Sequence, residues 1–128
     1  MQISVIISVL AIATMAYGFN IDIWEKIWGD LAACNKLIFK APDDHNVPGI
    51  LCTLIRDGEI LDKNGEFKNE IAMQRLEDLI SNPNKLEQAR QIHIDCHREV
   101  VKSGATGIYQ TKQIILCERL ILTLFDKI

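Results

Sequence analysis

The first eighteen residues contain no charged side chain, and the whole chain is poor in glycine and proline. Its 128 residues include only seven glycines and three prolines, which excludes a collagen-like or low-complexity chain. With 14 basic and 17 acidic residues there is no basic excess for a nucleic-acid backbone. The length fits one domain and excludes a two-domain enzyme. We therefore expect one small domain that binds no nucleic acid.

The uncharged start of the chain resembles a signal peptide. Its apolar run is too short for a bilayer-spanning helix, which needs about 20 apolar residues. The small residues Ala16 and Gly18 lie at positions −3 and −1 of a cut after Gly18. A membrane anchor that extends to Ile27 is the alternative, but polar and charged residues interrupt it. We predict a signal peptide over 1–18, no membrane anchor, and a secreted, extracellular domain over 19–128.

The secreted part lacks the motifs of common hydrolases and glycoproteins. It has only two serines, Ser81 and Ser103, and neither lies in a G-x-S-x-G motif. No N-x-S/T sequon occurs, so we expect no N-glycosylation. We expect that the protein is not an enzyme and has no catalytic residues.

Three possible metal ligands lie at helical spacing. His93, Cys96 and His97 occupy positions i, i+3 and i+4 and would share one helix face. A fourth ligand would have to be another cysteine, and thiols in an exported chain are usually oxidised. We expect no metal and no cofactor, with His93 partly buried on the core-facing stripe and His97 at the surface.

The first two segments with helical periodicity have clear start and stop residues. Asn20 is a suitable N-cap, and apolar residues follow at spacings of three and four as far as Ile38. This first helix is predicted to end near Lys40. Pro48 suits the first turn of the second helix, and Gly58 suits its end.

Three further helices follow the same rules. The third is predicted around 72–80, and the fourth starts at Asn82 or Asn84 and ends at Ser103. The last, over about 109–125, is apolar almost all round, so we expect it to be central and the most buried. No segment alternates long enough to predict a strand. The chain is therefore predicted to be all-α with five or six helices.

Four cysteines remain after residue 18, an even number that indicates disulfides in a short exported chain. Cys34, Cys52, Cys96 and Cys117 permit three connectivities. Pairing of neighbours would close loops of about 18 and 21 residues, each worth about 3 kcal/mol. It would also join the first helix to the second and the fourth to the fifth.

The segment Cys52-Thr-Leu-Ile-Arg-Asp-Gly-Glu-Ile-Leu-Asp-Lys-Asn-Gly-Glu-Phe67 resembles the insect pheromone- and odorant-binding protein family. Its cysteine-bearing helix, turn and following apolar residue match that family, as do the intervals from Cys52 to Cys96 and from Cys96 to Cys117. The family's second and fifth cysteines would fall near Pro48 and Ile108 and are absent here. The resemblance is to the four-cysteine branch, and it implies the neighbour pairing of disulfides.

Other segments are similar to the ant venom allergens that share this fold. They are Pro42-Asp43-Asp44, Ile80-Ser81-Asn82-Pro83 and the interval from Cys52 to Cys96. An additional bridge of those allergens aligns with Leu76 and Ala89, where apolar contact would replace it. The cysteine that links their dimers has no counterpart, so we expect a monomer or a non-covalent dimer.

The resemblance implies a compact array of five to six helices around an apolar cavity, held by two disulfides. It implies a carrier that reversibly binds a small hydrophobic ligand such as an odorant, pheromone or lipid. Composition alone does not distinguish a filled core from a hollow one. The residues predicted to line the cavity are Trp28, Leu31, Leu51, Ile55, Leu61, Phe67, Leu76, Ile80, Ile92, Ile115 and Leu120.

Two alternative functions belong to other classes. One is a venom component or allergen-like secreted protein that acts through its surface, and the other is a helical signalling protein. For the carrier, we hypothesise that protonation of His93 below about pH 6 loosens the helices and releases the ligand. Equal affinity at about pH 7 and pH 5 would contradict that hypothesis.

Overall fold

Five α-helices and one 3₁₀ helix make up the structure, a computed structural model that describes residues 18–127. Helices α1 to α5 and the closing 3₁₀ helix are, in order, Ile21–Leu37, Val47–Asp57, Asn69–Leu79, Pro83–Lys102, Gly107–Glu118 and Arg119–Leu124. No strand forms in this part of the chain, where the one extended pairing is an isolated bridge between Leu61 and Phe67. The predicted all-α class is confirmed. The predicted signal peptide lies outside the described residues, apart from Gly18.

Asparagine side chains begin three of the helices. The side chain of Asn20 accepts hydrogen bonds from the backbone N–H groups of Asp22 and Ile23, and Asn82 does the same for α4. Asn46 caps α2 by accepting from Gly49 N–H at 2.7 Å. These bonds satisfy N–H groups that have no partner inside a helix. The predicted start at Asn20 is confirmed, and of the two starts predicted for α4, Asn82 or Asn84, the cap is Asn82.

Helix α1 ends at Leu37, three residues before the predicted end. Phe39 adopts a left-handed backbone (φ 59°), and the N–H of Lys40 turns back to the carbonyl of Asn35 at 2.9 Å. Ile38 therefore leaves the apolar face to become the C-cap. The apolar spacing continues past the point where the backbone hydrogen bonds change, so spacing alone does not reveal this end.

The last helix differs most from its prediction. It begins at Gly107, and after Glu118 it tightens into the 3₁₀ helix. Ile114 and Ile115 are buried, but Leu116 is 51 % exposed and Leu120 is 71 % exposed. The expectation that this helix is the most buried is wrong, although α5 packs against both α2 and α4. An apolar residue on every face cannot indicate which face has a neighbour.

Two disulfides join consecutive helices. Cys34 in α1 is bonded to Cys52 in α2, and Cys96 in α4 is bonded to Cys117 in α5. The neighbour pairing is confirmed.

Buried apolar side chains form two clusters. The larger cluster contains Leu31, Ile50, Ile60, Phe67, Ala72, Cys96, Val100, Ile114 and Ile115. The smaller contains Leu76, Leu79, Ile80, Ala89 and Ile121, and Ile92 packs against both. Among residues 18–127, no helix combines the length and the apolar character that a membrane crossing needs.

Candidate functional site

A cavity of about 100 Å³ lies among the helices, with side chains of both clusters in its wall. Its apolar lining consists of Ile27, Trp28, Leu31, Ile50, Leu54, Ile60, Phe67, Ala72, Leu76, Leu79, Ile115, Ile121, Leu122 and Phe125. Thr53, Arg75, His93, Glu118 and Arg119 complete it. A water occupies about 30 Å³ in the liquid, so this space exceeds one or two waters. The interior is therefore hollow.

Five of the eleven residues predicted to line a cavity are brought together in its wall. They are Trp28, Leu31, Phe67, Leu76 and Ile115. Each lies on the inward stripe of its helix or, for Phe67, directly after the turn that precedes α3. Contact between these side chains and a ligand stays a prediction.

The other six predicted residues lie elsewhere. Ile55 and Leu61 line a separate, more open groove with Ile108. The remaining four lie outside both linings: Leu51 and Ile92 are partly buried against the core, Ile80 is inside the smaller cluster, and Leu120 is exposed.

Several wall residues were missed by sequence reasoning. Ile27 and Phe125 lie on predicted apolar stripes and were within reach of the same argument. The polar residues Thr53, Arg75 and Glu118 gave no such signal, because only the packing of distant helices places them at the cavity.

The most buried polar group on the wall is a histidine paired with a carboxylate. His93 in α4 is 3 % exposed, and its Nδ1 lies 2.6 Å from Oε2 of Glu118 in α5. An ionised carboxylate only accepts hydrogen bonds, so the Nδ1–H group donates to it. The edge of one ring meets the face of the other between His93 and Phe67, with centroids 5.0 Å apart. The Cys96–Cys117 disulfide lies three residues after His93 and one before Glu118, and it holds these two helices together.

An ion-pair network lies at another part of the wall. Arg75 Nε donates to Asp57 at 2.7 Å, and one of its terminal nitrogens donates to Glu59 at 3.0 Å. Burial alone raises the pKa of Asp57. The hydrogen bond and charge of Arg75, with backbone N–H groups of Glu59 and Ile60, outweigh burial and hold that pKa below its usual value.

Asp78 belongs to the same network but shifts in the opposite direction. Burial raises its pKa and outweighs the hydrogen bond from Gln74 and the charge of Arg75, which lies 3.7 Å away. The pKa of Arg75 is raised, chiefly by its hydrogen bond to Asp57, so the guanidinium stays charged. The network therefore places a fixed, internally paired cation at the cavity.

Aromatic side chains pack together at the cavity wall, to which Trp28 and Phe125 belong. The Trp28 ring meets Phe125 nearly edge to face with centroids 5.9 Å apart, and Trp24 lies 6.3 Å from Trp28. Trp24 Nε1 donates to the carbonyl of Asp126 at 2.7 Å, which fastens the chain after the 3₁₀ helix to α1. Trp28 Nε1 is buried without a hydrogen-bond partner among the described residues.

Arg119 marks the side where the cavity approaches the surface. This residue lines the cavity and is exposed, and its Nη1 donates to the carbonyl of His45 at 3.4 Å. That bond links the 3₁₀ helix to the loop before α2.

The possible metal ligands do not offer a free thiolate. Cys96 is engaged in its disulfide, and the rings of His93 and His97 are 6.1 Å apart. His97 is half-buried rather than at the surface, and burial followed by the charge of His93 lowers its pKa.

Comparison with known proteins identifies one family. The sequence profile of the ant venom allergen Sol i 2 family matches residues 33–122, which are 90 of the 128 residues. No curated protein and no solved structure matches the chain. The expected likeness to ant venom allergens is confirmed, and membership in the odorant-binding family stays a prediction.

Proposed function

The chain belongs to the ant venom allergen Sol i 2 family, and we propose that it is a secreted protein that reversibly carries a small hydrophobic molecule in its cavity. The observation that carries this proposal is the hollow interior. A chain of this size buries only part of its surface, and a void forfeits packing contacts that would stabilise it. Such a void in a core with two disulfides is well explained by a guest.

Secretion is supported by the family and by the oxidised cysteines. All four cysteines in the described part of the chain are disulfide-bonded, which is typical of an oxidising compartment. In this proposal the ligand is bound and released without chemical conversion.

The volume limits the size of the ligand. An engineered apolar cavity of about 150 Å³ binds benzene, so a space of about 100 Å³ that is partly open to solvent suits a ligand of about benzene's size, with part of the ligand at the opening. A longer chain, such as a lipid tail, would require Arg119 and the 3₁₀ helix to move. Burying a six-carbon hydrocarbon at about 0.8 kcal/mol per CH₂ contributes about 5 kcal/mol before the entropy cost of binding, which corresponds to a dissociation constant of about 0.1 mM or weaker.

Titration of the purified protein with methylcyclopentane, followed by NMR, tests the proposal. We expect saturable shifts of methyl signals from Leu31, Ile115 and Leu122, with surface methyls such as those of Leu120 unchanged. Saturable binding confined to the surface methyls, or no saturable binding, would contradict a carrier function.

A second candidate, action through the surface, is favoured by an exposed apolar tip. Leu37, Ile38 and Phe39 are consecutive and exposed, and Phe39 is 96 % exposed. Exposed apolar patches often mark interaction sites. The Phe39→Asn variant separates the two candidates, because Phe39 lies outside the cavity wall. A carrier keeps its affinity for methylcyclopentane in this variant, whereas a protein that acts through this tip loses binding to its partner.

A further inference from the structure

From the chemistry of the cavity wall we infer that the natural ligand carries a hydroxyl group, which donates a hydrogen bond to His93 Nε2. This inference rests on the proposed carrier function and names the class of ligand: a small aliphatic or cyclic alcohol. It follows from the state of the two ring nitrogens of His93.

One nitrogen of His93 is already used. Nδ1 lies 2.6 Å from the Glu118 carboxylate, and in the neutral form of the ring a hydrogen bond donated to that carboxylate places the proton on Nδ1. Nε2 is then left with a lone pair and no proton. It can accept a hydrogen bond but cannot give one.

The other nitrogen has no partner in the protein. Nε2 is buried and makes no hydrogen bond to any described residue, although the side chain is only 4 % exposed. Buried polar groups are nearly always hydrogen-bonded, and one left without a partner is costly. His93 lines the cavity but Nε2 has almost no accessible surface there, so a ligand that enters can donate to this atom once the surrounding side chains shift.

The acceptor character of Nε2 selects among polar ligands. A hydroxyl can donate to it, whereas a ketone, aldehyde or ether has no proton to give. Trp28 Nε1 is the other unpartnered polar atom on the wall, but it is a donor and would favour a carbonyl oxygen. The two atoms therefore predict opposite preferences, which an experiment can distinguish.

Three ligands of equal size provide the test: cyclopentanol, cyclopentanone and methylcyclopentane. Each is titrated into wild-type protein and into the His93→Asn variant. Asparagine Nδ2 occupies a position similar to histidine Nδ1, so it can still donate to Glu118, but it has no counterpart of Nε2. We expect the variant to lose about tenfold in affinity for cyclopentanol relative to methylcyclopentane. Affinity for cyclopentanone relative to methylcyclopentane should not change.

The ratio between ligands removes effects of the substitution on cavity size and on folding. His97→Asn is the matched control, since His97 is four residues further along α4 and outside the cavity lining. It should leave all three affinities unchanged.

The remaining outcomes separate this inference from the carrier proposal. If methylcyclopentane binds in the cavity but the variant treats the alcohol and the hydrocarbon alike, the hydroxyl assignment is overturned and the carrier stands. If the wild type prefers cyclopentanone to cyclopentanol, the polar contact of the ligand is with Trp28, and the hydroxyl assignment is likewise overturned. If none of the three binds, both proposals fail.

Discussion

At the scale of single residues, Asp57 and Asp78 show how similar carboxyls acquire opposite roles beside one arginine. Asp57 receives two hydrogen bonds from Arg75, whereas Asp78 lies 3.7 Å from it and accepts one bond from Gln74. The pKa of Asp57 is lowered and that of Asp78 is raised. Ionised Asp57 therefore stabilises the fold, whereas ionised Asp78 is held at a cost.

We expect the Asp57→Asn substitution to lower the free energy of unfolding at pH 7 by about 2 kcal/mol, because it removes a charge-assisted hydrogen bond. The pKa of Asp57 is lower in the folded protein than in the unfolded chain, where it is about 3.9. The ionised group therefore stabilises the fold above about pH 4, and this stabilisation is lost as the pH falls through the pKa of the folded state. The difference in the free energy of unfolding between the wild type and the variant should therefore shrink below about pH 4. Urea unfolding at several pH values measures it.

Asp78→Asn is the matched control with the opposite sign. The pKa of Asp78 is higher in the folded protein than in the unfolded chain. Its contribution to stability is therefore present below the pKa of the unfolded state and is lost as the pH rises through the pKa of the folded state. At pH 7 this variant should be as stable as the wild type or more stable. Equal losses for the two variants at pH 7 would contradict the roles assigned to them.

Sequence reasoning at this scale succeeded where the chemistry is local. The caps at Asn20 and Asn82 follow from side chains that bond two or three residues ahead. The burial of His93 follows from its helical stripe, but its partner Glu118 is 25 residues away on another helix. Spacing along one helix carries no information about such a partner.

At the scale of elements, apolar periodicity located all five α-helices but not the winding of the last one. A 3₁₀ helix has 3.0 residues per turn instead of 3.6, so it changes which residues face inward. Ile121 and Leu122 consequently line the cavity, whereas Leu120, predicted as a wall residue, is exposed. The change from α to 3₁₀ has no distinct sequence signal here.

The two disulfides allow a test of which helix pair supports the polar site. In the chain-entropy model, each disulfide closes a loop and stabilises the fold by about 3 kcal/mol. We therefore expect urea unfolding to show similar losses in the free energy of unfolding for the double variants Cys34→Ala/Cys52→Ala and Cys96→Ala/Cys117→Ala. Only the second pair joins the helices of His93 and Glu118. We expect that variant alone to lose its preference for cyclopentanol over methylcyclopentane.

The first disulfide variant is the control for stability. Loss of the preference in both variants would mean that general loosening, rather than the junction of α4 and α5, controls the site. Retention in both would mean that the His93–Glu118 pair does not depend on the covalent link.

At the scale of the whole molecule, the cavity exists because five helices and the closing 3₁₀ helix meet around it without filling it. Composition could not distinguish this from a filled core, since the same apolar residues serve either. The hollow interior was expected only from the family resemblance. The wall itself depends on how helices far apart in the chain pack, which explains why five of the eleven expected residues are found there.

A substitution that fills the cavity should remove binding. Ala72 in α3 lines the cavity and is buried, so Ala72→Met extends a flexible side chain into the space. We expect at least a tenfold loss of methylcyclopentane affinity by NMR titration, with a stability change within about 1–3 kcal/mol. Ile94→Met, at an exposed position of α4, should leave affinity unchanged. Unaltered affinity in Ala72→Met would place the binding site elsewhere.

The most direct measurement is a crystal structure of the protein under xenon pressure, because xenon enters dry apolar cavities. We expect xenon density in contact with Leu31, Ile60 and Ile115, among the helices. A structure in which those side chains pack against one another, with no space and no xenon between them, would contradict the hollow interior on which the carrier function rests.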